Sequence, residues 1–97
     1  MRCDGRWGLA ATRRKAVVHA EFLEDLQFWV RNDRTAADRV LQLMAAILGD
    51  PFIGIGKPEP LKYAFAGAWS RRITEEHRLV YRVGATRIDF LQARFNY

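Results

Sequence analysis

The chain has 97 residues, 49% of them apolar, which is material for one hydrophobic core and one compact domain. Its single cysteine, Cys3, closes no intrachain disulfide, and neither a bilayer-spanning apolar run nor a secretory signal is visible, so a protein of the reducing cytoplasm is expected, with no membrane partner. The net charge of +5 is unevenly placed: five bases and one acid over residues 1–16, three bases and six acids over residues 17–50, eight bases and four acids over residues 51–97, so the C-terminal part offers a phosphate-binding surface or a merely solvated one.

Residues 1–13, MRCDGRWGLAATR, show no sustained period and read as a loosely ordered extension to a domain over residues 14–97. Lys15 to Val18 is β-prone and suits a short edge strand. From Ala20 to about Val30, Phe22, Leu23, Leu26, Trp29 and Val30 recur at three- and four-residue spacing and predict a first helix. Asn32 and Asp33 break and re-cap the chain, and Ala36, Ala37, Val40, Leu41, Met44, Ile47 and Leu48 predict a second helix, stopped by Gly49, Asp50 and Pro51. The segment from Phe52 to Gly67 contains GIGKPEPLKYAFAG, whose glycines and prolines forbid a long helix or a central strand, leaving an exposed but conformationally fixed loop. Ala68 to Thr74, Arg78 to Val83 and Arg87 to Phe95 then read as an antiparallel meander. The sum is an α+β domain with two N-terminal helices packed on one face of a small antiparallel sheet, the other face being free for function.

Metal chemistry is not expected, because His19, His77 and Cys3 lack any ligand spacing, and no cofactor motif is present. Ser70, the one serine, has no nucleophile-elbow context. A different chemistry is suggested by Glu59, held between Pro58 and Pro60, together with the arginines of WSRRITEEHRLVYRV from Trp69 to Val83. RNA transesterification needs a base for the ribose 2′-hydroxyl, cations on the crowded phosphorane and an acid for the departing 5′-oxygen. Glu59 is the candidate base, and Arg72 and Arg78 are the candidate phosphate clamp. A surface glutamate beside scattered hairpin arginines is the competing reading.

Strand parity separates the two readings. A two-residue turn at Glu75-Glu76 pairs Arg72 with Leu79 and sends Arg72 and Arg78 to opposite faces; an odd loop or a bulge pairs Arg72 with Arg78. In the odd register Trp69, Ile73, Leu79 and Tyr81 face the helices and Ser70, Arg72, Arg78 and Val80 share the open side, with Arg71 left awkwardly among the apolar residues. His77 reads as a turn residue and the three tryptophans as packing, Trp69 standing nearest the candidate site.

The blocks GKPEPLKY, WSRRITEEHRLVYRV and ARFNY together resemble the signature of the YoeB/Txe branch of the RelE/ParE toxin superfamily, over about Lys15 to Tyr97. The resemblance implies a microbial-ribonuclease-like fold. It also implies a type II toxin that enters the A site of the 70S ribosome, cuts the mRNA there and is neutralised by a YefM-like antitoxin; family members also self-associate, which allows a homodimer. Carried over by residue, the catalytic positions are Glu59, Arg72, Arg78 and Tyr97, with Asn96 at the family's histidine position and Lys62 as the loop lysine; Lys57 and Arg71 join Lys62 as candidates for RNA binding. One position departs: the family assigns acid catalysis to a histidine before the terminal tyrosine, where this chain has Asn96. Asparagine donates hydrogen bonds but exchanges no proton near neutral pH. Cleavage with a substitute acid, slow cleavage through electrostatics alone, and A-site blockage without cleavage are the three outcomes left open, with impaired but real activity expected. A ParE-like gyrase poison is a further rival.

Overall fold

The computed structural model describes residues 14–61 and 67–96, so the expectations for residues 1–13, Lys62 and Tyr97 lie outside the described residues. Strand β1 spans Lys15–Val18, helix α1 Ala20–Asn32 and helix α2 Arg34–Gly49, followed by strands β2 (Glu59–Pro60), β3 (Ala68–Arg72), β4 (Arg78–Val83) and β5 (Arg87–Phe95).

Asp33 joins the two helices and serves both. Its N–H donates to the Trp29 carbonyl to close α1, and its carboxylate accepts from the Ala36 N–H at 3.1 Å to open α2. Against the sheet, α1 buries Phe22 and Trp29, and α2 buries Ala36, Ala37, Val40, Leu43 and Ile47. The predicted stripes were each slightly too wide. Leu23, Val30 and Leu41 are about half exposed, and Leu43 takes the inward place expected of Leu41. Leu41 follows Val40 by one residue, about 100° around the helix, whereas Leu43 returns to the Val40 face after three.

The helical hairpin covers one face of a five-stranded sheet in the order β1-β5-β4-β3-β2. The meander β3-β4-β5 is antiparallel as expected, but β1 runs parallel to β5, from Lys15 opposite Arg87 to Val18 opposite Phe90, so the sheet is mixed. The two helices between β1 and the rest provide the long crossover that a parallel pairing requires. The fixed loop also contributes an unexpected edge strand, β2, whose Glu59 and Pro60 pair with Ser70 and Trp69.

The β3–β4 hairpin adopts the odd register: Arg72 is the cross-strand partner of Arg78, and the Ile73 N–H donates to the His77 carbonyl at 3.0 Å. Thr74 Oγ1 fills the tip, accepting from the N–H groups of Glu76 and His77. Ile73, Leu79 and Tyr81 join Phe22, Trp29, Val40, Leu43, Ile47, Ile88 and Phe90 in the core, with Trp69 packed against it. The Trp29 indole donates to the Ala93 carbonyl at 2.8 Å and ties α1 to β5. The opposite face is not the bare one expected, because Ser70 and Val80 are fully buried and Arg78 nearly so; only Arg72 of that set is exposed. None of the described helices is long and apolar enough to cross a membrane.

Candidate active site

The site is built by register. Glu59 on β2 lies opposite Ser70 on β3, Ser70 lies opposite Val80 on β4, and two residues along the hairpin Arg72 lies opposite Arg78. Because side chains alternate across a strand, Ser70, Arg72, Arg78 and Val80 share one face. Arg78 in turn is the β4 partner of Phe95, so Asn96 follows directly at the same end of the sheet.

Arg78 is the centre of the cluster. Its Nε donates to Ser70 Oγ at 2.8 Å, and one terminal nitrogen donates to Glu59 Oε1 at 3.3 Å and to the Lys57 carbonyl at 3.4 Å. The Arg78 side chain is 11% exposed and that of Glu59 53%, so the cation is held inside while the carboxylate stands at the surface. A half-exposed ion pair of this kind is worth at most about 1 kcal/mol. Its value lies in geometry: it keeps a carboxylate beside a guanidinium whose own position is set by the buried Ser70 hydroxyl and the Lys57 carbonyl, and an arriving phosphate can compete for that guanidinium at little cost.

The local sequence explains how the carboxylate gets there. Gly54, Gly56 and Lys57 have positive φ values of 141°, 83° and 53°, and the Arg72 N–H donates to the Gly56 carbonyl at 2.7 Å. These turns bend the chain back alongside β3, after which Pro58 and Pro60 stiffen the backbone around Glu59. β2 sits at the sheet edge, where proline is tolerated.

Of the residues singled out from sequence, the structure brings together Glu59, Arg78 and Arg72, with Lys57 contributing its backbone carbonyl and Asn96 close in register. Lys57, Arg72 and Asn96 are exposed. Arg71 is corrected: it is wholly buried on the helix side, where it hydrogen-bonds to loop carbonyls, and presents no surface to RNA. His77 is also away from the cluster, with its ring 5.1 Å edge-on from Trp29 and Nδ1 3.4 Å from Thr74 Oγ1. Trp69 packs on Phe52 at 5.2 Å. Ser70 was passed over as an oriented partner for Arg78; two-residue alternation from Arg72 and the odd hairpin register were the signals that place it there.

A family model described as YoeB-like toxin of bacterial type II toxin-antitoxin system matches residues 18–97. The chain is 53% identical over 74 residues to Toxin YoeB of Mycobacterium bovis, covering 76% of this chain and 87% of that protein. It is 40% identical over 83 residues to Toxin YoeB of Escherichia coli, covering 86% and 99%. Among solved structures it is similar to a YoeB/ParE toxin from Agrobacterium tumefaciens, with a TM-score of 0.78 at 44% identity over 86% of this chain and 99% of that one. It is also similar to YoeB from Staphylococcus aureus as a dimer, at 34% identity and a TM-score of 0.80, and in a heterotetrameric YoeB-YefM toxin-antitoxin complex, at 34% and 0.75; each covers 88% of this chain and 99% of the other.

Proposed function

Since this chain belongs to the YoeB-like toxins of bacterial type II toxin-antitoxin systems, we propose that it is a ribosome-dependent endoribonuclease that cuts mRNA in the ribosomal A site and so inhibits translation. The observation that carries the proposal is the Glu59–Arg78 pair, a surface carboxylate 3.3 Å from a guanidinium oriented by Ser70.

In the proposed reaction the phosphate draws on Arg78, and the Glu59 carboxylate takes the proton of the ribose 2′-hydroxyl. The 2′-oxygen bonds to phosphorus and the bond to the 5′-oxygen breaks, leaving a 2′,3′-cyclic phosphate. Arg78 and its cross-strand partner Arg72 stabilise the charge of the phosphorane. Lys57 and Lys62 are assigned to the RNA backbone. The departing 5′-oxygen needs a proton that Asn96 cannot supply, so Tyr97, an arginine or a group of the ribosome takes that role and cleavage is slower than with an acid in place. No metal or cofactor enters these steps.

The toxin family implies neutralisation, and the YoeB-YefM complex of the Staphylococcus relative supports a cognate YefM-like antitoxin for this chain. The YoeB dimer of the same organism supports a homodimer. Action on the 70S ribosome places the protein in the cytoplasm. Asn96 favours a second reading, in which the chain occupies the A site and stops translation without cutting. A ParE-like gyrase poison is disfavoured, because it has no use for a carboxylate–guanidinium phosphotransfer site.

The test is incubation of the purified chain with programmed ribosomes and mapping of mRNA 5′ ends, beside Glu59→Gln and a ribosome-free control. A-site cuts that are absent without ribosomes and fall about 10²-fold or more in Glu59→Gln are expected. Translation arrest with intact mRNA would instead establish the blocking mode.

A further inference from the structure

Strand alternation sends the two successive arginines of β3 to opposite faces. Arg72 is exposed, whereas Arg71 is fully buried beneath the helices, in a position where an apolar side chain would complete the core with no donors to pair. Its partners explain why a guanidinium stands there. One terminal nitrogen donates to the carbonyls of Asp50 (2.7 Å) and Ile53 (3.3 Å), the other to Ile55 (3.1 Å), and Nε to the Tyr81 hydroxyl (3.2 Å). The Tyr81 hydroxyl in turn donates to the Pro51 carbonyl at 2.6 Å. Burial raises the pKa of that hydroxyl against the opposing pull of Arg71, which keeps it a donor.

Four carbonyls of one loop thus converge on two side chains of the core. The loop is shaped to this purpose: a Cβ at Gly54 would stand 2.9 Å from an Arg71 terminal nitrogen, and one at Gly56 3.1 Å from Arg71 Cβ and 2.9 Å from Leu43 Cδ2. Asp50 braces the same stretch from outside, its carboxylate accepting from the N–H groups of Phe52 and Ile53. Immediately beyond, the loop is taken over by the Arg72 N–H at Gly56 and by Arg78 at Lys57, and it delivers Glu59 opposite Ser70.

We propose that Arg71, braced by the Tyr81 hydroxyl, is a positioning residue that fixes residues 50–57 so that Glu59 is presented to Arg78 and the ribose. This rests on the cleavage proposed above, and its main effect on that reaction runs through Glu59, with a smaller one through the Lys57 carbonyl that receives Arg78. Misplacing a reacting group by about 1 Å costs on the order of 10²-fold in rate. The geometry therefore predicts about a tenfold or larger fall in single-turnover cleavage at saturating programmed ribosomes for Tyr81→Phe, and a larger fall for Arg71→Lys, while half-saturation by ribosomes stays within about twofold.

Two measurements test it on the full chain. Hydrogen exchange of the loop amides at residues 53–57 is expected to quicken in Tyr81→Phe while the β4 and β5 amides stay protected. The Tyr81→Phe penalty is also expected to shrink several-fold when added to Glu59→Gln, measured on residual cleavage. Tyr81→Phe, which deletes one oxygen, carries the test if Arg71→Lys fails to fold. Unchanged loop exchange, or the same fold-loss in the presence and absence of the Glu59 carboxylate, overturns the inference while leaving the proposed nuclease standing. Wild-type protein that leaves ribosome-bound mRNA intact overturns the nuclease reading and the catalytic half of this inference with it; loop exchange then decides the structural half by itself.

Discussion

Ser70→Ala removes a single oxygen and tests how Arg78 is held. Ser70 is fully buried, Arg78 is 11% exposed along its side chain, and the Nε to Oγ distance is 2.8 Å, so the substitution leaves one N–H of a cation facing a vacated, largely dry position. Hydrogen bonds to charged groups contribute roughly 1.5–3 kcal/mol. The loss can surface in either of two ways. If Arg78 keeps its place, the fold bears the cost, and a domain of this size loses about 4–8 °C of melting temperature per kcal/mol. If Arg78 instead turns outward toward solvent, stability recovers but the guanidinium leaves the proposed phosphate position, and the same energy becomes roughly a 10- to 150-fold fall in the chemical step. Single-turnover cleavage on programmed ribosomes and a thermal melt, run together, therefore sum to a near-constant loss. The cycle with Arg78→Lys sharpens the test: lysine carries no Nε, so Ser70→Ala should add almost nothing in that background. A variant matching wild type within about twofold in rate and about 1 °C in melting would refute the claim that Ser70 orients Arg78.

Asn96→His should raise the cleavage rate by about tenfold or more, and the gain should fade as pH rises through about 6.5, since a general acid must be protonated to act; an equal rate at every pH would show that proton delivery is not the weak step. Asp89 is buried, and the His19 hydrogen bond, followed by the Arg87 charge, holds its carboxyl below the ordinary value of 3.8 despite that burial. A depressed native pKa stabilises the fold above pH 3.8 and ceases to do so as pH falls through the native value, so Asp89→Asn should be less stable at neutral pH and lose less on acidification, as read by urea titration across pH. Gly56→Ala should cost about 1–3 kcal/mol, because a positive φ and two crowded neighbours meet the new methyl, whereas Gly49→Ala, which meets nothing within 4 Å, should be neutral or stabilising in the same melts.

The helices and the meander were legible in the sequence because their signals are local: a 3.6-residue apolar period, an Asp33 cap between two stripes, and β-rich runs separated by turn residues. What failed depends on distant partners. The direction of β1 is decided by where the helical hairpin returns the chain, and four residues carry no mark of it. Strand β2 has two residues, one of them proline, and exists only because β3 offers an edge. Leu41 and Leu43 are equally apolar, and the choice between them follows from how α2 rolls on the sheet. For the candidate site, Glu59 and the hairpin arginines stood out by chemistry and by the contiguous WSRRITEEHRLVY block, but grouping Arg72 with Arg78 required the odd register that the sequence left open.

Arg71 shows how a misfit can carry information. In the odd register it falls on the apolar side of β3, between Trp69 and Ile73, where a charge conflicts with the binary pattern of the strand. A cation at such a position either breaks the fold or answers to acceptors that the core itself lacks, because burial without hydrogen bonds is too costly to persist. The nearest source of spare acceptors was also in the sequence: the glycine-rich stretch after α2, whose carbonyls have neither helix nor long strand to pair with and must be satisfied somewhere. Donors without acceptors inside and acceptors without donors outside point to each other. The residue assigned to RNA binding belongs to the loop by its parity, and Arg72 is the member of the pair that stands exposed at the surface.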